Sequence, residues 1–271
     1  MSLAPAAGDA AIAADALLRG GDLAGARHLL AEELRAHPGN FGARQFFWPL
    51  LALTGEWDKA EAQLRTLAGV QSSAMMLASV YGQAITAERA RERTMAGEIA
   101  PRSLVGSEPW VDALLDALAA TTRGDADAAL RREAALEIAP ASAGTLDGEQ
   151  FAWVADADPR FGPMLEVIIG ADYGFIPFAA IRLIKATPVT ELRDTVWRPV
   201  EITLAVGQSS LAFVPSRYPG SASASDPALV LGRATAWVAA ADGAETGLGQ
   251  RLLATDQDDQ PIGQPFDIRF D

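Results

Sequence analysis

Histidine and clustered aspartate are the residue types in this chain that could bind a metal ion. His28 and His37 are nine positions apart on a predicted helix and its end. Nine residues make about two and a half turns, so the two imidazoles point to opposite sides and cannot share a metal. The stretch 256–259 resembles the start of a calcium loop, but Pro261 stands where such a loop needs glycine. The chain contains no cysteine, and the sequence therefore predicts no metal site, disulfide or thiolate nucleophile.

Motifs of catalysis and cofactor binding are also missing from the sequence. A nucleophile elbow of the form Gly-x-Ser-x-Gly and a phosphate-binding Gly-x-x-x-x-Gly-Lys do not occur. The stretch 247–249 has two glycines, but Leu252 stands where a dinucleotide fingerprint has its third glycine. Asp156 and Asp158 precede a proline and are typical of a turn. We therefore expect no enzymatic activity and no cofactor.

Acidic side chains outnumber basic ones in this protein. Its 271 residues include 35 Asp and Glu against 22 Lys and Arg, which gives a net charge of −13. Affinity for nucleic acids and anionic membranes comes from Lys and Arg, so this balance argues against both classes of partner. The first residues lack the basic segment of a secretory signal, and no apolar run approaches the ~20 residues of a membrane span. We therefore expect a globular protein of the cytoplasm.

A turn of the form Gly-[Asp/Glu]-x-x-x-Ala recurs in the first half of the chain. Its glycines are Gly21, Gly55 and Gly124, and the first two are 34 positions apart, which is the period of a tetratricopeptide repeat. The glycine permits a left-handed backbone after one helix, and the small alanine lets the next helix pack closely. With the apolar spacing, this pattern predicts helices over residues 9–19, 22–36, 41–53, 57–69, 72–95, 107–122 and 125–138.

Short runs of β-forming residues between turns replace the helical pattern after Thr145. Hairpin turns are predicted at 170–172 and 207–208. The predicted strands cover residues 151–154, 165–169, 174–178, 181–185, 199–206, 210–214, 235–238, 251–255 and 266–270. The sequence thus predicts an α+β chain in two parts: a tetratricopeptide-like all-α domain over residues 1–144 and a mostly antiparallel α+β domain over residues 145–271.

A series of short strings in the second half resembles the ImpE/TagJ family, accessory proteins of bacterial type VI secretion. Each string is weak by itself, but their order and spacing are specific. The strings are Thr145–Gly148, Phe151–Trp153, Ala155–Asp158, Phe161–Pro163, Ile176–Phe178, Leu192–Asp194 with Trp197, Arg217–Ser221, Gly247–Arg251 and Thr255 with Asp256.

The resemblance implies a tetratricopeptide-like N-terminal domain joined to an α+β domain, which agrees with the division made above. It also implies a non-enzymatic role beside the contractile sheath of the secretion machine. The implied partner is an N-terminal helix of the small sheath subunit and, through the sheath, the AAA+ ATPase that recycles it.

An amphipathic partner helix presents its apolar anchors on one face and fits an apolar groove with an acidic rim. Aromatic side chains of the helical part are candidates for the groove, although core packing is the alternative role for each of them. The predicted partner-binding residues are Phe47, Trp48, Tyr81 and Trp110 as apolar anchors and Glu56 and Glu61 on the rim.

Two other functions remain open from the sequence. The chain could be a general peptide-binding scaffold or a chaperone-like adaptor that holds peptides of various partners. It could also be an enzyme with a site around Arg217, Tyr218 and Arg251. A guanidinium among apolar and glycine residues needs a carboxylate or carbonyl partner, so Arg217 and Arg251 belong either to structural ion pairs or to a ligand contact.

Overall fold

The computed structural model describes residues 9–106, 108–240 and 244–271, and its N-terminal part is helical. The helices are α1 (Asp9–Arg19), α2 (Leu23–Ala36), α3 (Phe41–Leu53), α4 (Trp57–Val70), α5 (Met75–Met95), α6 (Pro109–Arg123) and α7 (Ala128–Ile138). The side chains of Asp22 and Asn40 accept hydrogen bonds from N–H groups in the first turns of α2 and α3, at 2.7 and 3.0 Å. The seven predicted helices are confirmed, with ends that shift by at most three residues.

The recurring glycines lie between helices that pack against each other. Gly55 and Gly124 adopt φ angles of 73° and 76° after α3 and α6. This left-handed backbone conformation is one that glycine adopts more easily than other residues. Ala60, the alanine of the second copy, is buried, whereas Ala129, the alanine of the third copy, is half-buried and its neighbour Ala128 is buried instead. The glycine of the turn therefore works as its composition indicates, the alanine does so only in part, and the tetratricopeptide-like character of the repeat stays a prediction.

Strands dominate the C-terminal part, which also contains the short helix α8 (Pro227–Val230). The strands are β1 (Gly144–Leu146), β2 (Glu149–Phe151), β3 (Val154–Asp156), β4 (Met164–Ile169), β5 (Asp172–Pro177), β6 (Ile181–Ala186), β7 (Trp197–Leu204), β8 (Ser209–Pro215), β9 (Thr235–Ala239), β10 (Glu245–Gly249), β11 (Leu252–Thr255), β12 (Asp259–Pro261) and β13 (Phe266–Phe270). Antiparallel pairing joins them into a large sheet of order β2-β1-β13-β6-β7-β8-β4-β5 and two small sheets, β9-β10 and β12-β11-β3. The predicted fold class, helices followed by an antiparallel sheet, is confirmed.

Some strand predictions are wrong or incomplete. Residues 151–154 do not form one strand, because β2 ends at Phe151 and β3 begins at Val154. Strand β10 was missed because it contains glycines, which are depleted in strands. The reason for glycine is steric: a Cβ atom on Gly247 would lie 2.2 Å from the ring of Tyr218.

The helices and the large sheet share one hydrophobic core. Its buried members include Trp48 and Tyr81 from the helices and Phe161, Phe175 and Trp197 from the strand region. A second cluster, around strands β6 and β7, lies on the other face of the sheet. The last long helix ends at Ile138 and the first strand begins at Gly144, and the domain boundary at residues 144 and 145 stays a prediction.

Candidate functional site

An apolar groove opens on the surface between α5 and the strands β7 and β8. Its cavity measures about 380 Å³, and Val80, Tyr81, Leu211 and Phe213 are among the residues that line it. Strand β4 pairs with β8 at Phe213 and turns into β5 at Gly170, which lines the cavity together with Leu211. We call this feature the α5–β8 groove.

Large apolar side chains are exposed along the α5–β8 groove. The exposed fractions are 82% for Leu211 and 38% for Val80. Met76, which is 74% exposed, lies one turn before Val80 on the same side of α5. Contiguous exposed apolar surface of this kind is typical of a protein-interaction site.

The floor of the groove is made of packed aromatic rings. The ring centroid of Tyr81 lies 5.3 Å from that of Phe213 and 5.0 Å from that of Trp48. The guanidinium of Arg193 lies over the Tyr81 ring at 5.3 Å. These contacts hold the floor in place, so the groove is preformed and a ligand does not have to order it.

The two sides of the groove come from segments without charged residues. No Asp, Glu, Lys or Arg occurs between Arg65 and Glu88, or between Glu201 and Arg217. Glu201 lies at the edge, directly opposite Leu211 in the β7–β8 pairing. In a protein with a net charge of −13, this surface is therefore apolar and uncharged, with a carboxylate on its rim.

A cluster of charged residues is instead buried inside the molecule, beneath the same helix. We call this cluster the buried ion network; its members are Glu88, Arg91, Asp156, Glu166 and Arg251, and none is more than 7% exposed. At its centre, Glu166 accepts hydrogen bonds from Arg91 Nε at 2.8 Å and from the Tyr173 hydroxyl at 2.5 Å, and it also pairs with Arg251. Each buried charge therefore has an opposite charge beside it, as burial requires.

Arg251 links the network to the strands. Its guanidinium pairs with Asp156 and Glu166 and lies between the rings of Phe161 and Tyr218, 4.8 and 5.0 Å from their centroids. These partners belong to the chain itself. The structure therefore favours a structural ion pair over a ligand contact for Arg251.

Burial and shared partners shift the pKa values of the two strand carboxylates in opposite directions. Burial raises the pKa of Asp156 to about 6, although Arg251 acts against the shift. Burial also raises the pKa of Glu166, but Arg91 and Arg251 outweigh it and hold that pKa below its usual value. Glu166 is therefore the more firmly ionised of the two.

Arg217 connects the C-terminal part to the ends of two helices. Its Nη1 donates to the carbonyl of Leu53 at 2.9 Å and to that of Val230 at 2.6 Å, and these are the last residues of α3 and α8. A cation at a helix C-terminus is favoured by the helix dipole. Burial lowers the pKa of Arg217 to about 10, so it stays charged at neutral pH. Carbonyls rather than a carboxylate are thus its partners.

The six predicted partner-binding residues do not converge on one surface. Tyr81 lies in the floor of the α5–β8 groove and Trp48 is fully buried behind it. Phe47 lines a separate depression between α2 and α3, and Trp110, 5% exposed, donates its Nε1–H to Glu108 at 3.1 Å.

The two predicted rim carboxylates lie on α4 and at its start. Glu56 pairs with Arg27 and Lys59, and Glu61 pairs with Arg65 and Arg89. Neither lines the α5–β8 groove. A role of the six residues in partner binding stays a prediction.

The exposed residues of the groove were missed by the sequence prediction. They are Val80 and Leu211 in the lining, with Met76 one turn before Val80 on α5 and Glu201 on the rim. The signal that could have found them is the absence of charge from the segments around them, but the approach of α5 to β8 is a long-range contact that no local pattern reveals. Within residues 9–106, 108–240 and 244–271, no group of His, Asp and Glu side chains is arranged to hold a metal ion.

Comparison with known proteins identifies the family. The type VI secretion system accessory component TagJ of Pseudomonas aeruginosa is 38% identical to this chain over 265 residues, which cover 97% of this chain and 91% of the relative. This chain belongs to the ImpE/TagJ family. The family model described as ImpE protein matches residues 148–269. It therefore covers β8 and three members of the buried ion network, but not α5.

The fold of this ImpE/TagJ protein also matches a solved structure. The crystal structure of protein VPA1032 from Vibrio parahaemolyticus has a TM-score of 0.85 at 24% sequence identity, with 95% of this chain and 97% of that chain covered. The two chains thus share the fold of both the helical and the strand regions. Among the described residues, no helix has the length and apolar character to cross a membrane.

Proposed function

We propose that this ImpE/TagJ-family chain is a non-enzymatic accessory component of a type VI secretion system that binds an amphipathic helix in the α5–β8 groove. The proposed helix is the N-terminal helix of the small subunit of the contractile sheath. Through that contact the protein modulates sheath assembly or recycling in the cytoplasm and acts indirectly with the AAA+ ATPase that recycles the sheath. The observation that carries this proposal is an exposed, uncharged apolar groove on an otherwise acidic molecule.

The shape of the groove suits a helix. An amphipathic helix presents apolar side chains at positions i, i+3, i+4 and i+7 along one face. Met76 and Val80 follow one side of the groove and Leu211 the other, so apolar side chains of a bound helix lie between two apolar walls. The fixed Tyr81 and Phe213 rings form the floor, and burial of such anchors supplies most of the binding energy.

Charge determines which amphipathic helix is favoured. Glu201 is exposed beside Leu211, and the whole molecule has a net charge of −13. A partner with Lys or Arg next to its apolar stripe is attracted over a distance and pairs with the rim carboxylate, whereas an acidic helix is repelled. We therefore expect the partner helix to be basic on its polar side.

The direct test is fluorescence anisotropy with a labelled peptide of the cognate sheath-subunit helix. The native chain should bind it saturably and should not bind a scrambled peptide of equal charge. Leu211→Asp and Met76→Asp should each weaken binding by about thirtyfold or more, because each places a carboxylate in the apolar contact.

A matched control is Val206→Asp, since Val206 is 85% exposed on the same hairpin but outside the α5–β8 groove. Its affinity should equal that of the native chain. An equal loss of affinity in all three variants would mean that the added charge acts independently of its position, and that the peptide does not bind in the α5–β8 groove. Equal binding of unrelated amphipathic peptides would instead support the general scaffold, and no binding by the folded chain would reject the partner.

A further inference from the structure

Strand β9 forms an open edge on the side of the molecule that carries the β9-β10 sheet. Among the described residues, β9 pairs only with β10. Its sequence, Thr-Ala-Trp-Val-Ala, has high β-propensity and contains no charge and no proline. Open edges are normally protected by charged residues or proline, by a bulge or by a covering element. The strand β9 has neither charged residues nor proline.

The hydrogen bonds around β9 show which of its backbone groups are directed outward. Ala240 N–H donates to the Ala244 carbonyl, and Gln250 N–H donates to the Ala234 carbonyl. Residues 234 and 240 therefore belong to hydrogen-bonded pairs. Because hydrogen-bonded and non-hydrogen-bonded pairs alternate along antiparallel strands, the N–H and C=O groups of the even-numbered residues of β9 point toward β10. The N–H and C=O groups of the odd-numbered residues 235, 237 and 239 therefore point to the open edge.

The opposite edge of the same small sheet is closed. Gly247 N–H donates to Asp158 at 2.8 Å, and Gly249 N–H donates to the Ser221 hydroxyl at 2.8 Å. The Gly249 carbonyl accepts from Tyr218 N–H at 3.0 Å. The available pairing edge of this sheet is thus on β9, where Trp237 and Val238 are 39% and 45% exposed.

The pattern of outward groups on β9 is self-complementary. Residues 235, 237 and 239 are spaced symmetrically about Trp237, so a second β9 strand running antiparallel places Trp237 opposite its own copy and Thr235 opposite Ala239. In that register all three residues exchange both N–H and C=O bonds with the second strand. A two-fold axis between the two strands, at the level of the paired Trp237 residues, makes both copies contribute the same surface.

We propose that β9 is a docking edge for a second copy of this chain, joined by antiparallel β9–β9 pairing into a four-stranded sheet of order β10-β9-β9-β10. This inference does not depend on the proposed function, since β9 and the α5–β8 groove share no residue. The contact is small and the two copies repel each other through their net charges of −13. The dimer is therefore weak, and its affinity rises with salt concentration.

Sedimentation velocity of the full chain at increasing concentration tests this proposal. We expect a monomer–dimer equilibrium that shifts toward dimer when the salt concentration is raised. Ala239→Pro removes one outward N–H without touching the bonds to β10, and it should weaken dimerisation by about tenfold. Ala239→Ser keeps that N–H and should dimerise like the native chain. Monomeric behaviour of the native chain throughout, or unchanged dimerisation of Ala239→Pro, overturns the proposal.

Cross-linking provides a second test that does not depend on the proline variant. The chain has no cysteine, so a single introduced cysteine reports one contact. Directly opposed residues in a bonded antiparallel pair have Cα atoms about 5.5 Å apart, within the range of a disulfide. Trp237→Cys should form covalent dimers on mild oxidation, and Val206→Cys, which is exposed elsewhere, should not. Equal cross-linking of the two variants, or none in the first, contradicts the register.

Discussion

The two halves of α5 carry opposite arrangements of polarity. The first half exposes Met76 and Val80 to solvent at the α5–β8 groove, and it contains no charged residue. The second half buries Glu88 and Arg91 in the ion network. Met76 and Val80 thus face water, and Glu88 and Arg91 face the core, within one continuous helix.

This difference separates two roles of the same element. Buried charges require exact partners, so the second half of α5 fixes how the helical part sits on the sheet. The exposed side chains of the first half, Met76 and Val80, contribute little to that packing and are free to contact a partner. Substitutions in the network should therefore change stability, and substitutions in the groove should change binding.

The largest expected effect is on the free energy of unfolding, at Glu166. Glu166→Gln keeps the shape of the side chain but leaves the buried guanidiniums of Arg91 and Arg251 without their shared carboxylate. Loss of one partner from a buried ion pair costs about 3 to 5 kcal/mol, which urea denaturation measures.

Asp172→Asn is the matched control for Glu166→Gln, because Asp172 pairs with Arg102 on the surface. It should change the unfolding free energy by less than about 1 kcal/mol. Similar costs for the two variants would contradict the central role of Glu166.

A second effect, nearly as large, is a dependence of stability on pH. The folded chain holds a proton on Asp156 up to about pH 6, whereas the unfolded chain releases it near the ordinary value of about 4. The folded state therefore binds the extra proton between these pH values, and the contribution of Asp156 to stability falls as the pH rises through this window.

Asp156→Asn lacks this titrating group and isolates its contribution. The stability of the variant relative to the native chain should increase by roughly 2 kcal/mol between pH 4 and pH 8. Urea denaturation at several pH values measures this increase, and a constant difference would show that the pKa of Asp156 is not raised.

The sequence is informative about helices and much less so about the network and the groove. Apolar spacing and the glycine turns are local, so the predicted helices agree with the structure within three residues. Glu166 and Arg91 are 75 positions apart, and no local pattern indicates that they meet. The family strings nevertheless contain Asp156 and Arg251, two members of the network.

The predicted anchors illustrate why a site is difficult to predict from residue types. Aromatic side chains are preferred both in cores and in binding sites, and Trp48, Tyr81 and Trp110 are buried in the structure. Leu211, an exposed residue of the groove, is a leucine, and leucine is common throughout proteins and does not by itself indicate a binding site. Only the folded chain brings it together with α5 and Gly170 in the groove.

A third effect concerns binding alone. Leu211→Ala should weaken binding of the sheath-subunit peptide by about 2 kcal/mol. Because Leu211 is 82% exposed, the unfolding free energy should change by less than about 0.5 kcal/mol. Anisotropy and urea denaturation of the same preparation measure the two quantities, and a large loss of stability would show that the groove is part of the folding core.

The smallest effect is expected at the rim of the groove. Glu201→Gln removes one exposed charge and should slow association with the peptide, at a cost below about 1 kcal/mol in affinity. Stopped-flow measurements should show that the difference from the native chain disappears at high salt. A difference that persists at high salt would contradict an electrostatic role.

The bond between Arg217 and Leu53 has a consequence for synthesis of the chain. It joins residues 164 positions apart, and ribosomes add about 5 to 20 residues per second. The end of α3 therefore waits about 10 to 30 seconds for the residue that caps it. During that time the apolar surface that later contacts Trp197 is open to chaperones and to other nascent chains, so completion of the fold is a late event in translation.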